Sequence, residues 1–443
     1  MTRLPSRDLR RDLYAATAAA LLFATAALVG TAIERRDGTL FVNWPPLLAD
    51  WGPHTGPGTA AAIVVAVAVV AYGPPLAARL PWRGLLLTVW GAGMAWTFSL
   101  ALVDGWQRGI ARRLTTRYEY LQVIDRFHDI PATLRDFTDH ILIGSPDQWP
   151  AHIAGHPPAA TLTFVYLDRI GLGGGAWAGV WCIVVGATAA LAILVTVRTL
   201  ADEKLARRAA PFLVLAPGAV WLGTSADGWF AAVAAWAVAL LALAVTGHGP
   251  RWTGLASGLL FGLTVYLSYG LTLYVVIAAA VLFLGSERLR PLLFAVAGFL
   301  VVPIVFTALG FYWWEAYDLL VTRYNQGAGG TRPQSYWVWA NLACQVLVVG
   351  LATAAGLRRT GVALLMRRES TAGFRLAVLV GAALLALLVA DLSGMSKAET
   401  ERIWLPFALW LLPSCAFLTG PRGWLAVQAV LALLVNHLLW TGW

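Results

Sequence analysis

Long apolar runs alternate with short polar stretches along nearly the whole chain, the pattern of a polypeptide that enters a bilayer repeatedly. At about 20 apolar residues per crossing, spans are expected near 14–33, 59–78, 84–103, 174–197, 209–223, 228–246, 252–269, 271–285, 291–310, 336–356, 375–393, 403–419 and 423–441. The pattern predicts an all-α polytopic membrane protein of about 13 transmembrane helices, with a large extracytoplasmic loop and juxtamembrane helices. Three regions are expected: 1–103, three helices with a first outer loop; 104–173, a polar loop ending in a surface helix; and 174–443, the remaining bundle, with outer loops near 311–335 and 393–402.

One apolar run is too short to cross. Residues 158–170 reach Asp168-Arg169 after about half the length a span needs. Pro157 and Pro158 are expected to start a short helix in the outer interface, since proline in a first turn is well tolerated. Leu162, Val165 and Tyr166 would form one flank and Asp168 and Arg169 the wet end. Residues 1–33 have the basic and apolar zones of a signal peptide, yet their apolar stretch is about a full span without a clear cleavage site, so a retained first helix is expected.

Composition sharpens this reading. Of 443 residues, 59% are hydrophobic and 12% charged, against roughly 25% charged in soluble domains. The net charge of +9 does not form a nucleic-acid-binding stripe, because the arginines fall in short clusters between apolar runs. With Arg3, Arg7, Arg10 and Arg11 cytoplasmic, the clusters at 79/83, 198–208, 251, 288–290, 358–375 and 422 share that side, as the positive-inside tendency requires. The three cysteines, Cys182, Cys344 and Cys415, lie in apolar runs with no metal-ligand spacing.

Polar residues collect in the outer loops 34–58, 104–158, 311–335 and 393–402. In the second, Asp104 emerges at the membrane surface, Glu119 sits between two tyrosines and Asp129 precedes Ile130-Pro131. A carboxylate partly shielded from water can take a proton from a sugar hydroxyl, so all three are candidate bases. The alternatives are solvated or arginine-paired acids, and for His156 a helix cap. Lys397, Glu399, Glu401 and Arg402 stand between apolar sequences, where unpaired charge is costly, so an ion-paired cluster is expected. Arg402, oriented by Glu401, is a candidate phosphate contact, and the competing reading is an interfacial anchor helped by Trp404. Asp227, in a tight outer turn, is a candidate for the same cluster or a helix cap. The loop 311–335 offers Arg323 and Tyr324 beside glycine-rich backbone, while Trp313, Trp314, Tyr336 and Trp337 fit an aromatic belt. No Walker A motif, dinucleotide fingerprint or repeat is visible.

A large loop after an early span, acidic near its start and ending in His156-Pro157-Pro158, resembles the GT-C superfamily of membrane glycosyltransferases. The resemblance implies an acidic base, Asp104 or Glu119 here, and a juxtamembrane helix begun by the H-P-P element. Two extra spans precede the loop, and no paired acids mark the base. The runs VNWPPLLADWGPHTGPGT, SLALVDGWQRG, LDRIGLGGGAWAGV, VWLGTSADG and ERIWLPF resemble an actinobacterial membrane family that includes the mycobacterial methylthioxylose transferase. That resemblance implies a decaprenyl-phosphate-linked pentose donor and the mannose caps of lipoarabinomannan as acceptor.

The expected reaction is an inverting transfer at the extracytoplasmic face of the plasma membrane. A polyprenyl phosphate leaves as a lipoglycan or polysaccharide hydroxyl attacks, with Arg402 or Lys397, and also Arg323, stabilising the phosphate. No cofactor is called for beyond the lipid-linked substrate, and no metal site can be read. The expected partners are that donor, the glycan acceptor and membrane lipids, without nucleic acid. The rival readings are a lipid-linked sugar transporter or flippase, and a noncatalytic envelope-assembly partner; clustering of polar residues at the outer boundary favours an enzyme.

Overall fold

The computed structural model describes residues 7–250, 252–366 and 370–442. Arg3, Arg251, Arg367 and Arg368, used above to orient the chain, lie outside them. The described chain is helical apart from one short pairing of Ala49–Trp51 with Leu439–Thr441, antiparallel. Seven described helices are long and apolar enough to cross a membrane: Arg7–Asp37, Thr59–Arg79, Trp82–Asp104, Gly175–Leu200, Ala226–Val245, Leu289–Ala308 and Thr371–Leu392. The protein is an all-α polytopic membrane protein.

Ala226–Val245 forms the hub. Its alanine-rich surface is buried on nearly every side against Thr188–Leu200, Thr253–Leu267 and Gly175–Gly186, as small side chains permit close helix approach. The same device joins Thr253–Leu267 to Leu289–Ala308, where a Cβ on Gly258 would collide with the Ala295 carbonyl and one on Gly298 with that of Leu255.

Several expected spans are broken in the structure, each for a local reason. The run 209–223 is divided between Glu203–Val214 and Ala219–Leu222; Pro217 supplies no N–H at the break and Gly218 N–H donates to Val348 O instead, at 2.7 Å. The run 252–269 gives the 15-residue helix Thr253–Leu267. The run 403–419 is mostly a tight 3-10 segment, Leu409–Phe417, with Pro413 inside. The run 336–356 bends by 108° between Gln334–Val349 and Leu351–Leu365.

That bend is built by two residues. Gly350 takes φ 79°, open to glycine at little cost. The fully buried Gln428 donates to Val349 O at 2.7 Å and accepts from Ala352 N at 3.3 Å, serving backbone groups that the break releases. The far arm is pinned to the first helix by Asp12, 0% exposed, which pairs with Arg358 at 2.8 Å and Arg359 at 2.6 Å. Apolar runs of span length can therefore be broken or bent, so run length alone does not mark unbroken helices.

Arginines stitch the four long polar loops together. Arg332 donates to Leu40 O at 2.9 Å and Lys397 O at 2.7 Å. Arg323 donates to Ile141 O and, at 2.9 Å, to Trp149 O. The expected surface helix is present as Ala159–Arg169, but it is packed into the protein: Leu162 and Val165 are buried while Tyr166 remains exposed. Arg169 folds back to donate to Phe127 O at 2.7 Å.

Candidate active site

Loop 104–158 runs as short 3-10, π and α turns, and a 3-10 segment starts immediately after Glu119. Its apolar face, with Tyr120, Val123 and Phe127, is buried. Tyr120 stacks on Phe164 of the helix after the His-Pro-Pro element, with ring centroids 5.3 Å apart. This packing carries Glu119 inward, to 4% exposure. Its Oε1 lies 3.0 Å from Nδ1 of His152. His152 Nε2 faces the Arg402 guanidinium at 3.4 Å. A guanidinium only donates, so Nε2 accepts there and the ring proton sits on Nδ1, toward Glu119.

Arg402 arrives from the opposite side of the pocket on the one-turn helix Thr400–Ile403. It makes a 2.6 Å ion pair with Asp227, whose second partner is the Ser225 hydroxyl at 2.9 Å. Ser225 also caps the hub helix by accepting from Asp227 N–H at 3.1 Å. The cap is therefore Ser225, and Asp227, in the first turn of that helix, is the ion-pair partner of Arg402. Glu399 lies 3.7 Å from Arg402 and 3.8 Å from Arg332. Burial disfavours the Arg402 charge, but Asp227, Glu399 and Glu119 outweigh it and hold the guanidinium above its ordinary pKa.

Arg113, Glu119, Tyr120, Thr224, Ser225, Ala226 and Arg402 enclose a common space. At about 10 Å³ it has room for about one water. In this closed arrangement the polar groups meet one another, and a sugar enters only if they part. Beside it, Asp104 is held by Arg113 at 3.0 Å, Arg108 at 3.3 Å and His54 at 3.0 Å. The His54 ring stacks on Trp440 with centroids 3.6 Å apart, so the strand pairing of residues 49–51 and 439–441 helps position Asp104. Burial lowers the Arg113 pKa to about 10, partly offset by Asp104.

The structure thus brings Glu119, Asp227 and Arg402 together and places Asp104 one arginine away. Four of the five quoted sequence runs supply these groups: His54, Asp104, Asp227 and Arg402. The other candidates lie elsewhere. Asp129 caps Ile130–Arg135, accepting from Ala132 N at 3.0 Å, and does not line the pocket. His156 does not cap the following helix, whose N-cap is Pro158. It sits behind Tyr120, donating from Nδ1 to His152 O at 2.8 Å with the Tyr120 hydroxyl at 3.1 Å. Burial lowers its pKa to about 4.

Glu401 does not orient Arg402. It turns toward Leu48, whose N–H donates to it at 3.3 Å, and burial lifts its pKa to about 7. Lys397 Nζ donates to Gly329 O at 2.9 Å, and its N–H donates to the Tyr324 hydroxyl at 3.0 Å. With Arg323 bound to two carbonyls, these residues hold loops together. Trp337, Tyr336 and Trp404 are buried, so of the proposed belt only Trp314 is widely exposed, at 75%. Sequence reasoning missed His152, Arg113 and His54. The spacing of His152 and His156, one helical turn apart beside the prolines, was the available signal.

Among the described residues, no group of three or more His, Cys, Asp or Glu is placed to hold a metal. No protein-family model and no curated protein matches the chain. Three solved structures of the Archaeoglobus fulgidus oligosaccharyltransferase are similar to part of it. The apo form has 15% identity and a TM-score of 0.46 over 75% of this chain and 50% of that one. The complex with zinc and sulfate has 16% identity and a TM-score of 0.42, over 74% and 47%. The form tethered to an acceptor peptide with the NVT sequon has 14% identity and a TM-score of 0.42, over 75% and 49%. The chain spans about half the length of those structures.

Proposed function

We propose that the protein is a GT-C-type membrane glycosyltransferase that uses a polyprenyl-phosphate sugar and works at the extracytoplasmic face of the plasma membrane. The observation that carries this reading is the buried constellation of Glu119 and His152 facing Arg402 and Asp227, at one end of an apolar helix bundle. A carboxylate opposite a guanidinium is suited to deprotonating a hydroxyl on one side of a sugar and holding a phosphate on the other. The acceptor oxygen bonds to the anomeric carbon, the bond from that carbon to the phosphate oxygen breaks, and configuration inverts. The hydroxyl proton passes to Glu119. The leaving polyprenyl phosphate keeps the bond electrons and is met by Arg402, with Arg113 beside it.

Glu119 is preferred to Asp104 because Arg113, Arg108 and His54 already occupy the Asp104 oxygens. His152 is a positioning residue whose Nδ1–H fixes the Glu119 carboxylate. Asp227 and Glu399 hold Arg402 charged and in place. The resemblance of the five sequence runs makes methylthioxylose the proposed sugar and the mannose caps of lipoarabinomannan the proposed acceptor. Mass analysis of lipoglycan from cells lacking the protein tests that finer assignment. Loss of methylthioxylose from the caps is the expected result, and unchanged caps overturn the sugar and acceptor. Transfer of another sugar from a polyprenyl-phosphate donor by isolated membranes would leave the enzyme class standing.

A further inference from the structure

At the end of the bundle opposite the Glu119–Arg402 pocket lies a cavity of about 500 Å³, within the roughly 300–1,000 Å³ of small-molecule sites. Prolines are among its lining residues: Pro74, Pro211 and Pro421. Pro74 and Pro75 lie inside the last turns of Thr59–Arg79 and Pro211 inside Glu203–Val214, each removing one backbone donor. Pro75 has no N–H to offer Ala71 O, which accepts from Arg422 at 3.0 Å. The carbonyls of Ala77 and Leu80 accept from Arg207 at 2.7 and 2.8 Å. The walls are apolar: Pro74, Ala78 and Pro421 face the space, with Pro211, Phe212 and Leu418 buried behind them.

The rim is basic. Lys204, Arg207 and Arg208 stand there with a single acid, Glu203. Glu203 is engaged on both oxygens, by Arg207 at 2.6 Å and Arg198 at 2.8 Å. Lys204 and Arg208 are exposed one helical turn apart, and Arg208 reaches across to donate to Leu418 O at 2.7 Å. Arg198 also covers the Trp82 ring at 4.4 Å, a pairing suited to a bilayer interface. A hydrocarbon-lined space beneath a cationic rim complements an amphiphile with an anionic head.

We propose that this cavity binds an anionic phospholipid of the surrounding membrane, with an acyl chain along Pro74, Ala78 and Pro421 and the headgroup phosphate between Lys204 and Arg208. The site is separate from the proposed transfer reaction and does not depend on it. The full chain, purified in mild detergent, is given phosphatidylglycerol and phosphatidylcholine of identical acyl chains, and bound lipid is read by native mass spectrometry. Wild type is expected to retain phosphatidylglycerol roughly tenfold over phosphatidylcholine. The double variant Lys204→Gln/Arg208→Gln is expected to lose that preference. Ala78→Trp, which keeps the rim and fills the cavity, is expected to lower occupancy by both lipids and carries the test if the double variant fails to fold. Equal retention by wild type, or undiminished occupancy in Ala78→Trp, overturns the proposal. So does displacement of the lipid by millimolar inorganic phosphate, which would indicate a simple phosphate site.

Discussion

Glu401 and His156 give opposite responses to pH. Glu401 is fully buried with its pKa lifted to about 7. The folded protein therefore holds its proton more tightly than the unfolded chain does, and that stabilisation is lost as pH rises from the ordinary carboxyl range through 7. Its full size is on the order of 3 kcal/mol. Glu401→Gln, which remains neutral, is expected to flatten the fall in melting temperature between pH 5 and 7.5, and a parallel pH profile would contradict this. His156 has its pKa lowered to about 4 by burial, so the unfolded chain binds the proton better and stability is lost as pH falls from about 6.5 toward 4. His156→Gln is expected to weaken that acid loss, read by melting at pH 7 and 4.5.

At the scale of elements, the bend at Gly350 and the loop strap at Arg323 make distinct predictions. Gln428→Leu leaves Ala352 N without its buried partner and removes one of two donors to Val349 O, which keeps the Thr353 hydroxyl at 2.7 Å, and is expected to destabilise by about 1–3 kcal/mol. Thermal unfolding checks this, with an unchanged midpoint as the contrary result. Arg323→Ala frees the carbonyls of Ile141 and Trp149, so it is expected to increase proteolysis within loop 104–158. If Arg323 instead contacts the donor phosphate, substitution should weaken donor binding without changing loop cleavage. The sequence located these elements better than it located their breaks. Periodicity and run length marked most helix positions, including the short helix after the two prolines. The 108° bend was hidden because its cause, Gln428 reaching Gly350, is separated along the chain and lies within apolar runs.

On the scale of the whole molecule, the polar loops converge because their arginines seek carbonyls and carboxylates across long sequence separations. Charge density in the sequence marked Arg402, Asp227 and Glu119 as worth attention, but it could not rank them against Asp129 or Lys397. The difference is tertiary: Asp129 has a local backbone partner, whereas Glu119 meets its partner only after Tyr120 packs onto Phe164. The central claim is that Glu119 takes the acceptor proton in a pocket where Arg402 holds the phosphate. Single-turnover transfer from a polyprenyl-phosphate sugar, measured in membranes for wild type, Glu119→Gln and Asp129→Asn, tests it most directly. Glu119→Gln is expected to slow the chemical step by about 10²–10⁴-fold with donor binding retained, while Asp129→Asn stays near wild type. Near-normal turnover in a folded Glu119→Gln protein would contradict it.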